Sequence, residues 1–126
     1  MAELRGSLHL IMSTHKELDI WKLSINLVTK IYQCTSNFPK YEQFGIASQI
    51  QRSAVSIPSN IAEGVARSSI KEYRRFVSIA LGSAAELETL LIIAQNISYL
   101  NSNEILKELS IIQSKIVAFR KYLQSK

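Results

Sequence analysis

Cysteine occurs once in this chain, histidine and proline twice each, glycine four times and tryptophan once, and each scarcity closes off a kind of chemistry. With Cys34 alone there is no intrachain disulfide, no CxxC pair and no thiolate cage for a metal. Its place on an apolar helical stripe marks a buried thiol rather than a nucleophile. The two histidines, His9 and His15, both precede the first helical pattern. No Glu-x-x-His pair therefore exists for a carboxylate-bridged metal site, and no imidazole is placed to activate a serine. The few glycines build no phosphate loop after a strand. No apolar run approaches the roughly 20 residues of a bilayer span, and the N-terminus lacks a signal-peptide core and cleavage site. These absences lead us to expect no enzymatic activity, no metal, no cofactor, no membrane association and a cytoplasmic location.

What is present is periodicity. The 126 residues, 47% of them hydrophobic, suffice for one domain with its own core. Residues 1–18 lack sustained pattern and read as a poorly structured N-terminal extension, within which Met12 is an alternative start; residues 19–126 read as a single domain. In the first helix, beginning at Asp19 as N-cap and running to about Asn37, Ile20, Leu23, Leu27, Ile31, Cys34 and Phe38 form the apolar stripe. Pro39 ends it by disfavouring helical geometry at Phe38. A second helix, Phe44 to Arg67, carries Ala47, Ile50, Ala54, Ile57, Ile61 and Gly64 in alternating steps of three and four. The third starts with Ser69 and Glu72 spaced as a capping box and carries Tyr73, Phe76, Ala80, Ala84, Leu87, Leu91 and Ala94 towards Tyr99. The fourth, capped by Asn101 or Ser102, shows Ile105, Leu109, Ile112, Ile116, Phe119 and Leu123 in heptad spacing. Four helices with short connections make antiparallel neighbours, so the fold class is all-α: an up-down-up-down four-helix bundle.

Pro58 falls inside the second stripe without disturbing its register. A proline in a helix interior removes one hydrogen bond and costs roughly 3 kcal/mol unless a bend absorbs it. We expect one helix bent at Pro58, with the hydroxyls of Ser53, Ser56 and Ser59 satisfying the backbone groups it frees. Gly64 and the run Gly82, Ser83, Ala84, Ala85 suggest close approach of the second and third helices. Arg52, Asn60, Glu63 and Glu86, together with Gln49, Ser56 and Glu88, read as an interhelical polar network fixing register, with Arg52 the partner for any buried carboxylate. Apolar residues off the stripes, Ile25, Val28, Tyr32, Ile79, Ile92, Ile93, Ile111 and Val117, would be exposed on a monomer and point to self-association.

Fifteen Lys and Arg against ten Asp and Glu give a formal charge of +5, which favours polyanionic partners. Arg67, Lys71, Arg74 and Arg75 crowd the start of the third helix, and Arg120, Lys121 and Lys126 end the fourth. Both groups are candidates for phosphate contact, with Tyr73, Tyr41 and Tyr122 near them in sequence as stacking partners for unpaired bases. Two readings stand side by side: a nucleic-acid-associated oligomer, and an assembly module engaging another protein.

From Leu18 to Leu100 the sequence resembles the four-helix-bundle family of proteins encoded in intervening sequences of bacterial 23S rRNA genes. Trp21 in DIWKLS, FPKYEQFGIASQIQRSAVSIPSNIAEG from Phe38 to Gly64, and SIALGSAAELETLLIIA from Ser78 to Ala94 carry the resemblance; SIPSNIAEG followed by GSxxELE is its most specific part. The resemblance implies a non-enzymatic bundle that assembles into a homopentamer and associates with RNA or DNA through basic surfaces. It also implies kinship with the accessory proteins of diversity-generating retroelements, which partner a reverse transcriptase. It implies no catalytic residues.

Overall fold

A computed structural model describes residues 14–126. Four α-helices dominate it: α1 Asp19–Thr35, α2 Ile46–Val65, α3 Ile70–Asn96 and α4 Asn103–Gln124, with single 3-10 turns at His15–Glu17 and Lys40–Glu42. Of the segment expected to be a poorly structured extension, residues 1–13, Met12 and His9 included, lie outside the described residues. Its end is a turn in which the Thr14 hydroxyl accepts the Lys16 N–H and the His15 ring meets Trp21 edge-on.

Each helix buries the stripe its periodicity dictates, with informative substitutions. In α2 the buried set contains Ala47, Ile50, Ala54, Ile57, Ile61 and Gly64 as expected. In α1 it is Ile20, Ser24, Leu27, Ile31 and Thr35, while Leu23 and Cys34 are half-buried. Two hydroxyls can replace larger apolar groups here because each is satisfied within its own helix, Ser24 donating to the Ile20 carbonyl at 2.5 Å and Thr35 to that of Ile31 at 2.8 Å. In α3 Val77 takes the buried position expected of Phe76. In α4 Phe119 is half-buried and the other five stripe residues are buried.

The helix ends follow their own chemistry. Leu18, not Asp19, holds the N-cap position of α1 and makes no side-chain cap. Asp19 instead sits in the first turn, where a carboxylate faces the positive end of the helix dipole. Ser69 caps α3 by accepting the Glu72 N–H at 3.1 Å. At the other end of α3 the Tyr99 N–H bonds the Ala94 carbonyl and the Ser98 N–H that of Gln95, a Schellman closure that places Ser98 at φ 65° where glycine is usual. Before α4, Ser102 is buried and donates to Gln95 Oε1 rather than capping its own helix.

Pro58 is buried inside an uninterrupted α2. Two of the three serines expected to serve it are engaged elsewhere: Ser53 donates to the Ile50 carbonyl and Ser56 pairs with Ser83 on α3 at 2.7 Å, while Ser59 is exposed. Neither reaches the Ala54 carbonyl, whose partner N–H the proline ring has replaced.

Cross-helix pairs give the topology. Gln51 bonds Thr35 between α2 and α1, and Ser56 meets Ser83 while Gly64 meets Tyr73 and Phe76 between α2 and α3. Tyr73 meets Phe119, and Ser102 the Leu91 carbonyl, between α3 and the α4 end of the chain. Lys30 pairs with Glu108 between α1 and α4. Positions rise on one helix as they fall on its neighbour, so adjacent helices are antiparallel and run up-down-up-down. Gly64 lies at the tightest part: a Cβ there would stand 3.0 Å from Tyr73 Cδ1 and 3.2 Å from Phe76 Cβ. Gly82, expected to serve the same purpose, has nothing among the described residues within 4 Å of its Cβ position and is exposed. By length and composition α3 is apolar enough to cross a membrane, contrary to the expectation from its sequence. In the bundle its stripe from Tyr73 to Ala94 is buried.

Candidate nucleic-acid interface

An even number of antiparallel helices sends the start of α1, the α2–α3 connection and the end of α4 to the same end. That end is the basic one. The half of the bundle made of residues 14–27, 56–83 and 114–126 holds ten basic residues (Lys16, Lys22, Arg67, Lys71, Arg74, Arg75, Lys115, Arg120, Lys121, Lys126) against four acidic ones (Glu17, Asp19, Glu63, Glu72). The other half of the described chain holds four, Lys30, Lys40, Arg52 and Lys107, against five, Glu42, Glu86, Glu88, Glu104 and Glu108. The entire positive excess is therefore on one half. The two basic groups seen in the sequence lie on the same half of the bundle, and Lys16, Lys22 and Lys115, which no local cluster had singled out, share it.

Phe76, nearly two turns into α3, organises two of these cations. It is half-buried, and the guanidinium carbons of Arg67 and Arg75 lie 4.7 Å and 5.3 Å from its ring centroid. Stacking of this kind holds a cation by the ring quadrupole while leaving its N–H edge available. Each arginine also has one carboxylate partner, Arg67 with Glu63 at 2.9 Å and Arg75 with Glu72 at 3.4 Å. These exposed pairs contribute little to stability, and they use one or two of the five donors each guanidinium carries. Lys71 and Lys121 are exposed, and Arg74 and Arg120 half-exposed. Among the described residues none of these four forms an ion pair.

The three tyrosines weighed as stacking partners part ways. Tyr73 takes the core position its stripe gives it: it is fully buried, its hydroxyl lacks a hydrogen-bond partner among the described residues, and desolvation raises its pKa well above the usual tyrosine value. Tyr41 lies at the opposite end, where it pairs with Tyr99 at 3.3 Å while Tyr99 donates to Glu42 at 2.7 Å. These bonds, Tyr41 first and Glu42 second, raise the Tyr99 pKa. Tyr122 is on the basic half, stacked on Phe119 with an interplanar angle of 27°, and Lys126 Nζ sits 4.7 Å from its centroid.

Of the four residues expected in a register-fixing network, Asn60 takes part: its amide donates to the Ser56 carbonyl and hydroxyl at 2.8 and 2.9 Å, and Ser56 bridges to Ser83. Arg52, Glu63 and Glu86 are exposed; Glu63 pairs with Arg67, not Arg52. The contact is a hydroxyl–amide chain, not a buried ion pair. Burial raises the pKa of Cys34, its backbone contacts opposing this only in part, so the thiol stays protonated. Among the described residues no three His, Cys, Asp or Glu side chains gather as metal ligands.

Comparison with known proteins agrees with this architecture. A family model described as 23S rRNA-intervening sequence protein matches residues 16–118. The chain is similar to a crystal structure of a protein of unknown function from the S23 ribosomal protein family of Bacteroides thetaiotaomicron. Identity is 23% and the TM-score 0.76, with 81% of this chain and 98% of that chain covered. At that identity the likeness is one of fold. No curated protein matches the chain.

Proposed function

The chain belongs to the 23S rRNA-intervening sequence protein family, and from that premise we propose that it is a non-enzymatic, homo-oligomeric cytoplasmic protein that associates with RNA through the basic half of its bundle. The single observation that carries this reading is the segregation of charge, ten cations against four carboxylates on one half and four against five on the other. Phosphates bound there would displace condensed counterions, so binding to structured RNA should weaken steeply with salt. Replacing Arg74 and Arg75 together by Ala should lower affinity and flatten the log–log salt slope by about 2. No binding to RNA or DNA at low salt overturns the proposal.

A second observation favours assembly. Trp21, Ile25, Val28, Val55, Pro58 and Ala62 line an apolar groove along α1 and α2, continued past Tyr32. Further along the surface Ile92, Ile93 and Ile111 are between 44 and 54% exposed. We read these faces as contacts between copies, a pentamer being the form the family resemblance implies, or with a partner protein such as a reverse transcriptase. A native mass equal to one chain rules out the homo-oligomer, and co-purification of a protein without nucleic acid would favour the partner-binding reading.

A further inference from the structure

The same half-bundle that gathers the cations leaves few aromatic faces open to a base, and this bears on which nucleic acid it takes. Phe76 is covered by Arg67 and Arg75. Tyr73 is fully buried and Phe119 is packed between Tyr73 and Tyr122. Tyr122 has Phe119 against its ring and Lys126 over it. On the same half Tyr122 keeps 39% of its surface exposed, and Trp21 is half-buried with the His15 ring edge-on against it; the two most exposed rings, Tyr41 at 79% and Phe44 at 92%, lie on the other half, which carries the slight acidic excess. Single-strand binders join a positive groove to aromatic platforms on which successive bases stack. Here the cations and the two most exposed rings lie on opposite halves. What the basic half offers is guanidinium edges held by a ring, with Lys71 and Lys121 exposed on the same half, which is chemistry for phosphate oxygens.

Resting on the RNA-binding reading above, we infer that this surface reads the phosphate backbone of a duplex, with Phe76 as the positioning residue that fixes Arg67 and Arg75. A duplex presents phosphates at higher charge density than a single strand and requires no base to leave its stack. The site takes duplex RNA or duplex DNA by the same contacts, and sequence has little influence on affinity.

The test measures binding of the full chain to four probes matched in phosphate number: duplex RNA, duplex DNA, poly-U, and a single strand carrying 2-aminopurine. Duplexes should bind about tenfold or more tightly than poly-U at low salt, as their steeper counterion release predicts. The 2-aminopurine emission should stay unchanged on binding. Phe76→Leu keeps every charge, so it should weaken duplex binding severalfold with the salt slope unaltered. Arg67→Lys with Arg75→Lys should do the same, and serves if the Leu variant folds poorly. Tyr122→Ala should leave affinity as it is. Poly-U binding as tight as duplex binding, or quenched 2-aminopurine, overturns the duplex inference and leaves the RNA-binding proposal standing. Phe76→Leu binding like the parent overturns the positioning role. Failure of all four probes to bind removes the underlying reading itself.

Discussion

Two glycines on neighbouring helices should respond oppositely to the same substitution. Replacing glycine by alanine inside a helix stabilises by about 1 kcal/mol through the backbone alone. At Gly82 nothing among the described residues lies within 4 Å of the new methyl, so that gain is realised whole. At Gly64 the methyl meets Tyr73 Cδ1 at 3.0 Å and Phe76 Cβ at 3.2 Å, well inside ordinary carbon contact at about 3.5 to 4.0 Å. Neither neighbour can move easily: Tyr73 is packed on every side, and a Cβ follows its backbone. The α2–α3 seam must open by several tenths of an ångström, and overpacking of this kind costs about 1 to 3 kcal/mol. Gly64→Ala is therefore net destabilising by about 1 kcal/mol and Gly82→Ala stabilising by about 1 kcal/mol. In urea, at one fixed protein concentration and an m-value of about 2 kcal/mol/M, the two midpoints should separate by about 1 M. Midpoints shifted in the same direction would refute the claim that Gly64 is a packing residue.

Tyr73→Phe removes a buried hydroxyl that has no partner among the described residues and should be neutral or stabilising by up to about 1 kcal/mol in chemical denaturation. It also has a pH signature. The folded chain holds the Tyr73 proton more tightly than the unfolded chain, because burial disfavours the phenolate. That contribution to stability is intact below the ordinary tyrosine value of roughly 10 and is lost as pH rises beyond it; Tyr73→Phe should remove this part of the alkaline decline. Ser98→Gly relieves a left-handed backbone at φ 65° and should raise stability by about 1 kcal/mol, seen as a higher thermal midpoint. A lower midpoint would contradict the strain. Ser69→Ala removes the cap on the Glu72 N–H and should cost about 1 kcal/mol, with Ser69→Asp restoring most of it.

Most of the fold was legible in the sequence because helical burial is periodic. The α2 stripe and five of the six α4 positions are buried where the spacing places them. The departures share a cause: at the edge of a stripe, a rotation of one residue about the helix axis exchanges neighbours. Ser24 and Thr35 could replace Leu23 and Cys34 because a hydroxyl bonded to its own helix carries no desolvation debt that the pattern would reveal. The same rotation moved Val77 inward and left Phe76 half-buried within reach of the arginines. Arg52, Glu63 and Glu86 looked like partners because sequence shows which residues share a helix face, but not whether a seam covers it. The gathering of basic residues at one end follows from helix parity, and nothing in any one segment states it.

Charge segregation is not a device for holding this bundle together. The hydrophobic core is made by stripes that contain none of the ten cations, and on the other half, where four cations meet five carboxylates, the same helices pack just as continuously. Concentrating six excess positive charges on one half adds self-repulsion to the folded state, which interleaving the same residues would have avoided. Three separate stretches of chain, residues 14–27, 56–83 and 114–126, contribute to it, so no single local composition accounts for the bias. The two arginines best fixed in place are anchored on a ring that itself left the core position its spacing had suggested. A surface that opposes folding, is assembled from distant segments and uses an aromatic side chain to orient guanidinium groups fits the phosphate-binding role proposed above, since a polyanionic partner would offset that repulsion.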